Sequence, residues 1–162
     1  MRHDISAREI RARGNDPHSA TLRITQYPAS GGIEYFFEFI DPVDATLFAL
    51  LRLRIPSQYF TGEAPVISVL KNSAIIREVH VFGDQLSIGA PANGSGQHMG
   101  FGRSLMEAAE ELIRREYTNI TQIAVIAGAG VRPYYRAHGY ALMETYMVKY
   151  LQGHLRGYKE TY

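Results

Sequence analysis

With 162 residues, 46% of them apolar and 20% charged, the chain has the length for one domain with its own core and the composition of an ordinary soluble globular protein. It contains no cysteine, which excludes disulfides, thiolate zinc sites, iron–sulfur clusters and a cysteine nucleophile. A formal net charge of +1 is no argument for nucleic acid by itself, and no apolar run is long enough to span a bilayer.

Residues 1–18 are polar and lack a clear period, so they read as a linker from an absent upstream domain. The start (Met1, Arg2, His3, Asp4) leads into charge, which gives no sign of a secretion signal and makes the cytoplasm the default location. Thr21 to Tyr27 alternates, Pro28-Ala29-Ser30-Gly31-Gly32 supplies turn residues, and Ile33 to Ile40 is again β-rich, together a hairpin signature. Asp41-Pro42-Val43-Asp44 predicts a further turn and Thr46 to Ile55 a third strand, which Pro56 stops. Ser57 to Ala64 reads as a loop and Pro65 to Leu70 as a short strand. Ala74 to Phe82 is apolar on both faces and is expected at the centre of a sheet. Gly83 to Gly96 is a loop of a length that is uncommon in compact domains and often functional.

Leu105, Met106, Ala109, Leu112 and Ile113 then form one apolar stripe at helical period, with Glu107, Glu110, Glu111, Arg114 and Arg115 assigned to the polar side. Gln122 to Ala127 is a short strand of the buried type. Val131 to His138 is helical, with Pro133 tolerable in its first turn, and Tyr140 to Lys149 reads as one closing strand. Antiparallel strands followed by strand–helix–strand–helix–strand predict an α/β (α+β) architecture, a mixed central sheet flanked by helices.

The sharpest chemical feature is Gln97-His98-Met99-Gly100-Phe101-Gly102, directly ahead of the amphipathic helix. Glycines let a ligand approach the backbone, and the free N–H groups of a helix start suit an anion such as a pyrophosphate. The run lacks both the Gly-Lys-Ser/Thr end of a nucleotide-hydrolysing loop and the Gly-x-Gly-x-x-Gly of dinucleotide folds. Alone it is equally a glycine-rich turn that starts a helix. With Tyr134-Tyr135-Arg136-Ala137-His138-Gly139-Tyr140 downstream, however, it resembles the two signatures of the GNAT acyltransferases: a pyrophosphate loop, and an aromatic pair followed by a Gly-aromatic step into the last strand. Within that fold family, Ile76 to Gly83, the stretch from Ile123 to Tyr135 and Tyr146-Met147-Val148-Lys149 are similar to the catalytic subunit of Elongator. So are Ala7-Arg8-Glu9-Ile10 and Leu51 to Pro56.

The resemblance implies a GNAT acetyltransferase domain over residues 19–162, with acetyl-CoA as acyl donor and tRNA as partner, joined in a eukaryotic setting by other Elongator subunits; no membrane partner is expected, and no pair of His or carboxylates has metal-ligand spacing. That family adds a carboxymethyl-type group to the wobble uridine of tRNA, using a radical S-adenosylmethionine domain and an iron–sulfur cluster. A cysteine-free chain cannot hold that cluster, so it reads as the C-terminal domain, incomplete for uridine modification alone but open to tRNA-triggered acetyl-CoA hydrolysis. The donor-binding residues would be Val79, His80, Val81, Gln97, His98, Met99, Gly100, Phe101, Gly102, Arg103, Tyr134 and Tyr135. Tyr135 stands where the family places the acid for the departing thiolate. Glu78 and His80, two apart on one strand, share a face and would supply the base, or else form a structural pair. Arg132 and Arg136 would lie near the CoA phosphates or face tRNA. Two other readings stay open: a protein lysine or small-amine N-acetyltransferase, and a non-catalytic RNA-binding or scaffold module.

Overall fold

The computed structural model describes residues 16–83 and 100–151. Seven strands form one mixed sheet in the order β1-β2-β3-β4-β5-β7-β6. β1 (Thr21–Ala29), β2 (Gly32–Ile40), β3 (Leu47–Ile55) and β4 (Ser73–Val81) pair antiparallel in chain order, as the hairpin signature and the order of elements predict. The β1–β2 turn is two residues, Ser30 at φ 48° and Gly31 at φ 74°, both left-handed, the geometry that matches the twist of a tight hairpin. β4 takes the middle position, as expected. It pairs in parallel with β5 (Gln122–Ile126), and the 16-residue helix α2 (Phe101–Glu116) lies between the two in the chain, supplying the crossover that a parallel pair requires.

Phe101, Leu105, Met106, Ala109, Leu112 and Ile113 of α2 are all buried against one face of the sheet. There they meet Phe37, Phe48, Leu51, Leu53, Ile76, Ile123 and Met147 in the main core. Each fully buried aliphatic or aromatic side chain contributes about 1.5–3 kcal/mol, so this stripe rather than intrinsic propensity holds the helix in place. Arg114 and Arg115 in its last turn face the negative end of the helix dipole. The opposite face of the first four strands carries a smaller apolar cluster, Ile40, Leu47 and Leu50 with Phe36 and Phe82 against them. Around it lie ion pairs, among them Arg23–Glu38 at 2.8 Å.

Four expectations are corrected. Ser57 to Ala64 is not all loop: Ser57–Thr61 forms a short helix α1, closed by Gly62 at φ 74°, whose N–H bonds the Gln58 carbonyl. Pro65 to Leu70 is not a strand. The segment instead ends in a 3-10 turn, Ser68–Leu70, pinned by the Gln122 side-chain amide donating to the Val69 carbonyl at 2.6 Å. The single closing strand is a hairpin, β6 (Ala141–Met143) and β7 (Tyr146–Tyr150), after helix α3 (Arg132–Ala137). Its turn places Glu144 at φ 57°, and without Gly, Asn, Asp or Pro there the alternation reads straight through. Last, Glu110 is not on the polar side of α2. It is 4% exposed and accepts from the Tyr140 hydroxyl at 3.1 Å and from Lys149 Nζ at 3.1 Å on each oxygen. Among the described residues no helix is long and apolar enough to cross a membrane.

Candidate functional site

The middle of the sheet opens. β4 pairs with β5 only from Ser73↔Gln122 to Ile76↔Val125, although β4 runs on to Val81. The pairing stops where β4 carries an extra residue: Arg52 faces Glu78 and Leu53 faces Ile76, leaving Arg77 as a bulge. The bulge reverses the alternation. Ala74 and Ile76 point into the main core, and so does Val79, three residues on rather than two. Beyond Ile76 no described strand pairs with the β5 side of β4, and the two strands part as a wedge.

The N-terminus of α2 stands at this wedge. Its cap is Gly100 at φ 66°, a left-handed position that favours glycine, and among the described residues no side chain caps the helix. The first intrahelical bond is Ser104 N–H to the Gly100 carbonyl, so the N–H groups ahead of it have no partner within the helix. Gly102 is buried with Val81 and Tyr134 against it: a β-carbon there would lie 3.6 Å from Val81 Cγ2 and 2.5 Å from the Tyr134 hydroxyl. Thus Val81 of β4, Gly102 of α2 and Tyr134 of α3 meet at the mouth of the wedge.

α3 supplies a stack of rings. Tyr134 stands edge-on to Tyr135 at 5.3 Å and to His138 at 4.6 Å, and Tyr135 edge-on to Tyr140 at 5.8 Å. Tyr135 is 8% exposed and belongs to the main core. Burial raises its pKa; burial and then the neighbouring Tyr135 raise that of Tyr134. Burial chiefly, then the charges of Arg103 and Lys149, lower that of His138 and favour its neutral form. Arg103 is exposed and pairs with Glu107 at 3.1 Å, one turn along the helix. Arg136 is exposed, and Arg132 is half-buried with its Nε lacking a hydrogen-bond partner.

Glu78 and His80 do share a face, as their spacing predicts, but it is the face opposite α2 and Tyr135. Glu78 forms an ion pair with Arg52 at 3.7 Å, and His80 stacks on Phe82 with centroids 4.2 Å apart. Among the described residues no hydrogen bond joins Glu78 to His80. The structure therefore brings together Val79, Val81, Gly100, Phe101, Gly102, Tyr134 and Tyr135 around the α2 side of the wedge, with Arg103 at its rim. Glu78 and His80 are set on the far side. Gln97, His98 and Met99 lie outside the described residues. Sequence reasoning missed Glu110 and Lys149, which brace Tyr140 beside Tyr135; a charged residue at an ordinary helix position carries no local sign of a partner 39 residues on. A cavity of about 880 Å³ lined by Tyr59, Ile67, Lys71 and Thr121 lies at the other end of β4, away from these groups.

A mixed seven-stranded sheet that splits at its central parallel pair, with a glycine-capped helix start at the split, is the GNAT acyltransferase fold, and the comparisons bear this out. The archaeal Elp3 of Methanocaldococcus infernus, solved with an N-terminal deletion, superposes with a TM-score of 0.65 at 39% identity, over 84% of this chain and 31% of that one. A bacterial toxin structure shares the fold alone, at 13% identity and a TM-score of 0.51 over 74% of this chain and 68% of its own. No family model matches. Among curated proteins the chain is 43% identical over 141 residues to the tRNA uridine(34) acetyltransferase of Dehalococcoides mccartyi, covering 86% of this chain and 29% of that protein. It is 42% identical over 135 residues to Elongator complex protein 3 of Dictyostelium discoideum, covering 83% of this chain and 23% of that protein. The chain is a homologue of the C-terminal, GNAT-fold domain of the Elongator complex protein 3 family, and spans 23–31% of the length of these relatives.

Proposed function

We propose that this chain binds acetyl-CoA in the wedge between β4 and β5 and acts as the acyl-donor domain for a carboxymethyl-type modification of the wobble uridine of tRNA. The observation that carries the reading is the opening of the β4–β5 pair directly at a glycine-capped helix start. The free edge of β4 from Val79 to Val81 offers backbone groups that an amide-bearing pantetheine arm would pair with in place of a strand. The N–H groups of Phe101, Gly102 and Arg103 would hold the pyrophosphate, with the Arg103 guanidinium adding charge, and Gly102 without a side chain admits the close approach.

Tyr135 would give its phenolic proton to the sulfur as the C–S bond breaks. Its raised pKa keeps that proton in place at neutral pH, and the thioester's acyl group passes to the acceptor or, with water, to free acetate. Glu78 or His80 would take the proton from the attacking group. Their place on the opposite face fits this division of labour, because a thioester threaded through the wedge is open to the acid from one side and the base from the other. The cysteine-free chain holds none of the iron–sulfur chemistry that uridine modification demands, so its share is donor binding and acyl release.

Calorimetric titration of acetyl-CoA, with and without unmodified tRNA and with free CoA followed, tests the proposal. Saturable binding with tRNA-dependent CoA release is the expected result. Binding with no response to tRNA would favour a lysine or small-amine acceptor, and no binding in either condition would leave a scaffold.

A further inference from the structure

We infer that Glu34, two strands away from the wedge, is a positioning residue for the acyl donor, acting through Arg77. The inference rests on the acetyl-CoA reading of the wedge and asks what keeps that wedge open. β4 parts from β5 at one point, the inserted residue Arg77, and without that insertion strict alternation would turn Glu78 and His80 into the core beside Ile76. Ladder hydrogen bonds do not fix a bulged residue, so something else must.

The side chain of Arg77 does so. Its Nη1 donates to Glu34 Oε1 at 2.7 Å, reaching across β3 to β2. Arg54, on the intervening strand, donates to the same oxygen at 3.3 Å and to the carbonyls of Ala29 at 3.1 Å and Ser30 at 3.3 Å. The anchor is thereby fixed to the β1–β2 turn. The Glu34 side chain is 2% exposed, whereas Arg77 is 49% exposed. A carboxylate so far removed from water is costly unless paired, which gives Glu34 a standing demand for cationic partners. The demand is met by Arg54 and, at the shorter distance, by the inserted residue itself. An ion pair placed only for stability has no reason to fall on the one residue that sets the register of the donor-binding edge. Release of Arg77 would let Glu78 to Val81 drift relative to Gly102, against which Val81 packs.

The test uses Arg77→Met, Arg77→Lys and Glu34→Gln in the full chain, with calorimetric affinities for acetyl-CoA and for 3′-phosphoadenosine 5′-diphosphate, which carries the phosphates but no pantetheine. Because Arg77 is half-exposed and Glu34 keeps Arg54, Arg77→Met is expected to fold. It should bind acetyl-CoA roughly tenfold more weakly while its affinity for the diphosphate stays within about twofold, with Arg77→Lys recovering part of the loss. Amide hydrogen exchange at Glu78 to Val81 should quicken in Arg77→Met and Glu34→Gln with no ligand present. Unchanged exchange, or an equal loss for both ligands, would overturn the clamp alone. A parent chain that binds neither ligand would overturn the donor reading, and the clamp's role with it.

Discussion

The hydroxyl oxygen of Tyr134 lies 2.5 Å from the point where a β-carbon on Gly102 would stand. Real β-carbons do not tolerate that distance, and Tyr134 has little room to yield, being packed edge-on against Tyr135 and His138. Once the hydroxyl is removed, the nearest ring atom is 3.7 Å away, an ordinary contact. Gly102→Ala is therefore expected to cost about 1–3 kcal/mol of stability through overpacking. The double variant with Tyr134→Phe should recover most of it. A denaturant double-mutant cycle should show coupling of about 1 kcal/mol or more. Additive effects would mean that the two residues do not share this space.

Tyr135→Phe separates binding from turnover. The variant keeps the ring and its edge-on contacts, so acetyl-CoA affinity should stay near that of the parent. CoA release should fall by about 10²–10⁴-fold if the phenol is the acid. Burial raises the Tyr135 pKa above its ordinary value near 10, so the group stays protonated through mildly alkaline conditions. The alkaline limb of the release rate should then begin above about pH 10 and vanish in the variant. A limb centred well below that range would assign the acid to another group.

Tyr140 couples stability to pH. Burial first, then the charge of Glu110 and the hydrogen bond to it, raise the Tyr140 pKa above its unfolded value. The stabilisation is therefore fully present below about pH 10 and is lost as the pH rises beyond it, because the unfolded chain ionises first. Tyr140→Phe should cost about 1.5–3 kcal/mol at pH 7, the worth of a hydrogen bond to a charged group, while Glu110 keeps Lys149. Its stability should also decline less steeply between about pH 9 and 11 in urea titrations. An unaltered slope would show that Tyr140 does not titrate differently in the folded protein.

What the chain discloses in one dimension is periodicity. The alternation of Thr21 to Tyr27, the third strand within Thr46 to Ile55, the stripe from Leu105 to Ile113 and the turn at Ser30-Gly31 each reflect a contact made within a few residues, and each is where it was expected. The parts that were not legible depend on partners far along the chain. Pro65 to Leu70 has strand-forming residues, but the Gln122 amide holds its end in a 3-10 turn. Glu144 turns a hairpin without a turn residue because β6 and β7 pair around it. Arg77 reads as one more strand position, and only the register of β3 against β4 marks it as the insertion. The donor-site motif was legible as Gly100, Gly102 and the tyrosine pair. That Gly102 and Tyr134 touch, and that Glu78 and His80 face away from them, are facts of the third dimension.

Apart from the three-rung edge hairpin β6–β7, the β4–β5 seam is the narrowest join in the sheet. Four rungs connect these strands, against nine between β1 and β2. The domain is thus two plates, β1–β4 and β5–β7–β6, riveted by α2 and by this short ladder. Pulled apart or warmed, the plates should separate there before the longer ladders of β1–β4 give way. Anything lodged in the gap touches both plates at once. Besides being bound, it would act as a splint, lending cohesion to the line along which the domain is most easily broken.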